Sequence, residues 1–496
     1  MYRTYFKSDA KNKFMRALVQ RELGCACTGG MRTGHARPPI YKQSQRSLIH
    51  TTSTSIPIPK YFNPVIKRAK SLPEVAEALK VDACDAIPLL ERSVDIFRSV
   101  GPEEYRAVVM LLARAQGMNG DHEKCVITLV DLQRSIEASG HDAGSSKDFM
   151  DVSFALSKAL WNAGRFDEAA KISKSHQETT LVNHQSIPSA ACILRSKSFV
   201  NLVNASALMQ ALNNDETDFD RKELILSEFR DAVSQLHNTI YDASSECYFT
   251  SNDRVGLGVA YVASLNNLAV AEACFDSQSL ASHDGAVPGV SSWLEALAIL
   301  GSLPAIDHQD NDKELAPDDF IQPADLLQFI QAQIMLNLSS SLLPSAKKVD
   351  VPTIPQQKED NLRDSSSYAG DSLKILEQLV PKYPLLNAAL GRALGLLGTS
   401  YKLAGSAVTA EGLFQSSLDK LDGKVLQASS PLSFIDKYGI LIRFGDLYSD
   451  WEKRDKDAAL LLSRADSLRS SEVLRNWPAT SEVISGLLMW SVHDVL

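Results

Sequence analysis

The chain holds 496 residues, with 51 Lys and Arg against 60 Asp and Glu, for a net charge of −9; 44% of it is hydrophobic and 22% charged. That composition, with only 25 glycines and 20 prolines, excludes the disordered, collagenous and low-complexity classes and fits a globular chain. At roughly 150 residues per domain, there is room for about three domains or one elongated array.

The first 55 residues stand apart. They carry ten basic side chains and two acidic ones, net +8, which leaves net −17 for the other 441 residues. A basic, acid-poor segment rich in Ser and Thr ahead of an acidic body has the composition of an organellar transit peptide. Phe14, Met15, Leu18 and Val19 fall on one face of a short helix, and the apolar core of a secretory signal is missing. Arg46-Ser47-Leu48-Ile49-His50-Thr51 resembles the two-step processing signal of mitochondrial matrix presequences: Arg, an apolar residue two later, and Thr three further on. The resemblance implies a mitochondrial matrix address and a mature start near Ile56.

Residues 86–94 read as the second helix of an early unit. Beyond them, apolar residues recur at helical spacing in segments of about 12–20 residues, with few alternating strand patterns. Three stretches share one set of offsets. Leu112-Ala113 is followed by Gln116, Gly120, Cys125 and Leu129; Leu156-Ser157 by Leu160, Gly164, Ala169 and Ser173; Leu397-Gly398 by Tyr401, Gly405, Ala410 and Phe414. Each leucine precedes a small residue at +1, a glycine at +8 and a small residue at +13. Antiparallel helices that cross closely need a small residue at the crossing and large ones beside it. The glycine ends the first helix in a left-handed cap, and Asp167-Glu168 opens a second helix where the macrodipole favours acids.

Weaker copies follow. Asn266-Asn267-Leu268-Ala269 and Asn337-Leu338-Ser339 read as first helices, with residues 293–300 and 371–379 as their second helices. Phe444-Gly445-x-x-Tyr448 begins a last pair, whose second helix holds Ala458, Ala459 and Ala465. Residues 481–492 read as a closing helix, since terminal units need a cap. Polar stretches at 213–222, 274–292, 302–322 and 344–369 read as long insertions.

The pattern resembles the tetratricopeptide repeat, a helix-turn-helix unit of about 34 residues; Leu397-Gly398-x-x-Tyr401 with Gly405, Ala410 and Phe414 matches best. The anchors at 112, 156, 268, 338, 397 and 444 lie 44, 112, 70, 59 and 47 residues apart, so the resemblance is to a divergent member. It implies an all-α superhelical solenoid of six or seven helix pairs with long inter-repeat insertions. The expected layout is a transit peptide over 1–55, a linker and array start over 56–84, the repeat domain over 85–480 and a capping helix over 481–496.

Signatures of chemistry are missing. Cys84, Cys125, Cys192, Cys247 and Cys274 are widely separated with no C-x-x-C spacing, which supports neither a disulfide framework nor zinc. Gly256-Leu257-Gly258 lacks the third glycine of a dinucleotide loop, and no Walker A, G-x-S-x-G or H-E-x-x-H string occurs. Asp310, Asp312 and Glu314 begin like a calcium loop, but Leu315 and Ile321 replace its glycine and bidentate glutamate. No catalytic residue, metal, cofactor or small-molecule substrate is expected. Residues 255–275 come nearest to a membrane span, yet hold Asn266, Asn267 and Glu272; no span is expected.

In the resembled family, ligands lie in a groove lined by first helices. The inward positions here include Arg114, Lys158, Asn266, Arg392 and Lys402, with Trp161 beside them; the basic members suit an acidic or C-terminal carboxylate segment of a protein partner. The expectation is therefore a non-catalytic adaptor or assembly factor. The alternative is an organellar RNA- or ribosome-associated helical-repeat protein, which a net charge of −17 opposes.

Overall fold

The computed structural model describes residues 72–78, 83–138, 147–182, 190–214, 219–241, 251–276, 287–303, 323–343, 355–383, 386–422, 431–451, 453–471, 474–478 and 486–487. The chain divides into the units Met1–Thr52 and Ser53–Leu496, and every described residue belongs to the second. The expected transit peptide, its processing signal and the acidic stretch 310–314 lie outside the described residues.

Sixteen helices are described, and no strand among the described residues. They are α1 (Pro73–Ala78), α2 (Ala83–Phe97), α3 (Pro102–Met118), α4 (His122–Ala138), α5 (Lys147–Asn162), α6 (Phe166–Val182), α7 (Ala190–Asn213) and α8 (Phe219–Tyr241). There follow α9 (Ser251–Asp276), α10 (Val290–Ser302), α11 (Pro323–Leu342), α12 (Pro355–Leu379), α13 (Asn387–Leu403), α14 (Ala407–Leu421), α15 (Pro431–Ser449) and α16 (Asp455–Arg469). Every helix packs on the next one in sequence. In addition, α5 packs on α7, α7 on α9, α9 on α11, α11 on α13 and α13 on α15, whereas no two even-numbered helices pack to that extent among the described residues. The chain is thus an α-solenoid of helix pairs, with odd helices stacked side by side and even helices backing them.

The turns explain why these pairs form. Gly120, Gly164 and Gly405 take φ of 80, 75 and 77°, a conformation that a Cβ disfavours. In each turn the residue after the glycine donates its N–H to a carbonyl five positions back: Asp121 to Gln116, Arg165 to Leu160 and Ser406 to Tyr401, at 2.9, 2.9 and 2.8 Å. This is the six-to-one bond of a Schellman cap. The carbonyl of that same residue then accepts from Cys125, Ala169 or Ala410, starting the next helix. One turn, made three times, sets the α3–α4, α5–α6 and α13–α14 hairpins.

Small residues set the crossings. Ala113 and Ser157 are buried, and a Cβ on Gly398 would sit 3.0 Å from the Phe414 ring. Between α13 and α14, the Ser417 hydroxyl donates to the Gly391 carbonyl at 2.6 Å, so the backbones nearly touch. Phe414 then stacks on Phe444, and Phe444 meets Tyr448, at centroid distances of 5.5 and 4.6 Å. A larger core runs from α3 through α11 and includes Phe154, Trp161, Phe199 and Trp293.

Three sequence expectations need correction. The α7–α8 pair was not anticipated, because neither α7 nor the chain on to residue 222 contains a glycine to mark its turn; it occupies half of the 112-residue gap between anchors. The described residues accordingly hold eight helix pairs, not six or seven. The stretch 344–369, read as an insertion, includes the first fifteen residues of α12. Its serines are crossing residues rather than loop residues: buried Ser365 donates to the Ser339 carbonyl at 2.8 Å and Ser372 to that of Ala332 at 3.1 Å. Residues 254–275 of α9 are long and apolar enough to cross a membrane, but 83% of that window is buried within the array.

Two outcomes follow. Replacing Gly398 by Leu should overpack the α13–α14 crossing and destabilise the chain by about 1–3 kcal/mol, read as a lower thermal midpoint. His176, buried beside Phe149 and Phe199 at 5.2 and 5.7 Å, has its pKa lowered by burial. The unfolded chain therefore takes up that proton first, and stability present above pH about 6.5 is lost as the pH falls below it. His176→Phe should flatten that loss in chemical-denaturation measurements at pH 7 and pH 5.

Candidate partner-binding face

The five residues expected to line a groove do not form one surface. Arg114 on α3 and Lys158 on α5 are half-buried. Lys402, in the last turn of α13, lies 3.8 Å from Asp450. Arg392 is inside the array: its side chain is 5% exposed and its Nε lies 3.3 Å from Asp436 of α15, itself 11% exposed. It joins two stacked odd helices, and helical position alone did not reveal that a neighbour covers it. Asn266 is also fully buried.

Asn266 instead centres a polar node linking three helices and a distant segment. Its Oδ1 accepts from Trp293 Nε1 of α10 at 3.0 Å and from Asn337 Nδ2 of α11 at 2.7 Å. Its Nδ2 donates to the Gly486 carbonyl at 2.8 Å, to which Asn337 Nδ2 also donates at 3.1 Å. A Cβ on Gly486 would overlap the Asn337 amide, so a side chain here would push that amide out of the node. Asparagine is unfavourable inside a helix, and its presence mid-helix in two apolar stretches was the available sequence signal. Each buried amide bond contributes about 0.5–1.5 kcal/mol net, and leaving a partner unsatisfied costs about 1–3 kcal/mol.

The same C-terminal region makes a second contact. Trp477 is 1% exposed; its ring lies 4.8 Å from Trp161 and 5.5 Å from Phe166, edge-on to both. Arg469, ending α16, donates to the carbonyls of Leu474 and Trp477 at 2.8 Å each. Asn213 of α7 donates to the Asn476 carbonyl at 2.9 Å. Gly164 serves twice here, since a Cβ on it would also come within 2.6 Å of the Asn476 Cβ. A pocket of about 290 Å³ adjoins this contact, lined by Arg165, Gln210, Asn213 and Arg221 among others. Of the expected capping helix 481–496 only residues 486 and 487 are described, and they lie against α9 and α11 rather than beyond α16. Trp477 and Gly486 were not anticipated, because nothing local in a sequence says that a tail returns to helices some 300 and 200 residues earlier.

Among the described residues, two potentially reactive side chains are buried. Cys125 is buried and its thiol pushed up to about 12, burial being the main cause. Lys197 is held at about 8 by burial and donates to Gln235 Oε1 at 2.5 Å. Among the described residues no three His, Cys, Asp or Glu side chains stand where they could hold one metal ion.

No family model matches the chain, and none of the curated proteins compared with it matches. Among solved structures it is similar to a circular tandem repeat protein with novel repeat topology and enhanced subunit contact surfaces, at 14% identity and a TM-score of 0.27, covering 84% of this chain and 95% of that one.

The Arg392–Asp436 pair gives a direct test of its structural role. Arg392→Met alone should cost about 3–5 kcal/mol by removing the cation beside the largely buried Asp436 carboxylate, while Arg392→Met with Asp436→Leu should recover most of it. Equal losses in the single and double variants would show that the pair is not what holds α13 to α15.

Proposed function

We propose that this chain is a non-catalytic adaptor or assembly factor of divergent tetratricopeptide-like repeats, acting in the mitochondrial matrix after cleavage near Ile56, and holding segments of partner proteins on its odd-numbered helices. The observation that carries the reading is the way side chains of those helices hold a segment lying outside them: Asn213, Asn266 and Asn337 all donate to its main-chain carbonyls. A surface that bonds backbone can hold protein segments of varied sequence. The basic, acid-poor first 55 residues and the Arg46-Leu48-Thr51 spacing support the address.

Affinity capture of the mature chain from mitochondrial extract, with and without nuclease, tests the function. Protein partners should remain after nuclease treatment; their loss would favour the RNA-associated alternative. N-terminal sequencing of the chain from isolated mitochondria should read from near Ile56, and an intact Met1 end on a cytosolic species would refute the address.

A further inference from the structure

We propose that Lys197 is an acylation site: its amine, held at the solvent edge of the α7–α8 pair, takes acyl groups from thioesters. The inference does not depend on the adaptor reading.

Three observations carry it. First, Lys197 is a buried amine without a counter-charge. The residue is 9% exposed, and lysines so buried are ordinarily paired. Among the described residues its one hydrogen-bond partner is the neutral amide of Gln235, whose Oε1 accepts at 2.5 Å, and no carboxylate forms an ion pair with it. Phe199, two residues on, meets Phe154 of α5 and His176 of α6, and Asn201 meets Ser264 of α9. The titratable groups at this level of the helices around it are Asp151, Lys174, His176, Asp231, His237 and Tyr261, and none of them bonds to the Lys197 amine. Second, the amine is not sealed in. Gln235 is exposed, so a side chain that ends on its amide ends beside solvent. Third, the place suits the product better than the reactant. Burial disfavours the charged form and holds the amine at about 8. Acylation removes that charge, and the amide N–H that remains can still donate to Gln235 Oε1.

In the step, the neutral amine attacks the thioester carbonyl carbon. The C–N bond forms, the C–S bond breaks, and the leaving thiolate takes up the proton that nitrogen loses, so that amine and thioester become amide and thiol. The neutral fraction at pH 7.5 is about a quarter for an amine at about 8, against about one in a thousand for an ordinary lysine.

The test uses the full chain and S-acetyl-N-acetylcysteamine, a small neutral thioester. Acetylation of Lys197 is followed by peptide mass spectrometry between about pH 6.5 and 9.5. The rate should level off above about pH 8, whereas that at the lysine of a short unstructured peptide should keep rising about tenfold per pH unit across most of the range. Gln235→Glu puts a carboxylate where the amide stands and should move the plateau up by about a unit or more, with helicity unchanged because the position is exposed. An unmodified Lys197, or a profile parallel to that of the peptide, would overturn the proposal without recourse to a variant. A Gln235→Glu profile identical to that of the unsubstituted chain, at equal helicity, would overturn it too. Should that variant lose helicity, the profile of the unsubstituted chain decides alone.

Discussion

The close approach of consecutive helices is the constraint on which the rest of the structure depends. Each helix buries its apolar face against its sequence neighbours, and a pair can interlock only where one side chain shrinks to let the other backbone in. Gly398 against Phe414, Ser365 against Ser339 and Ser417 against Gly391 are three forms of that solution. The serine form adds a hydrogen bond from hydroxyl to facing backbone, which keeps a buried polar group satisfied. Where both turn and crossing are right, the hairpin is specified locally, and the array grows by repetition.

A chain of nearest-neighbour contacts would give a one-dimensional object whose ends are energetically independent. Residues 474–478 and 486–487 change that. Through Arg469, Trp161, Asn213, Asn266 and Asn337 they tie α16, α5, α7, α9 and α11 to the same C-terminal region. The tie consists of a single indole cluster and a few amide bonds, which are modest terms individually.

How much was legible in the sequence follows from whether the information is local. The α3–α4, α5–α6 and α13–α14 hairpins were readable because a left-handed turn demands glycine and a close crossing demands a small residue, both at fixed offsets. The α7–α8 pair, whose turn region holds no glycine, was invisible to the same logic. The serines of α12 were misread because a buried small residue and a solvated loop residue are the same letter. Asn266 and Arg392 were placed on the correct helices, but periodicity gives the face of a helix and not what covers it. The tail's return to α5, α9 and α11 is a non-local fact, for which the only local hint was asparagine standing mid-helix where it is disfavoured.

The return of residues 474–478 and 486–487 to the odd-numbered helices is the central claim, and the stability of a Trp477→Ala variant tests it most directly. The Trp477 ring is 1% exposed and lies 4.8 Å from that of Trp161. The account predicts a lower thermal midpoint, equivalent to about 3–5 kcal/mol for the loss of a buried aromatic side chain. A variant as stable as the unsubstituted chain would mean that the segment is not seated there.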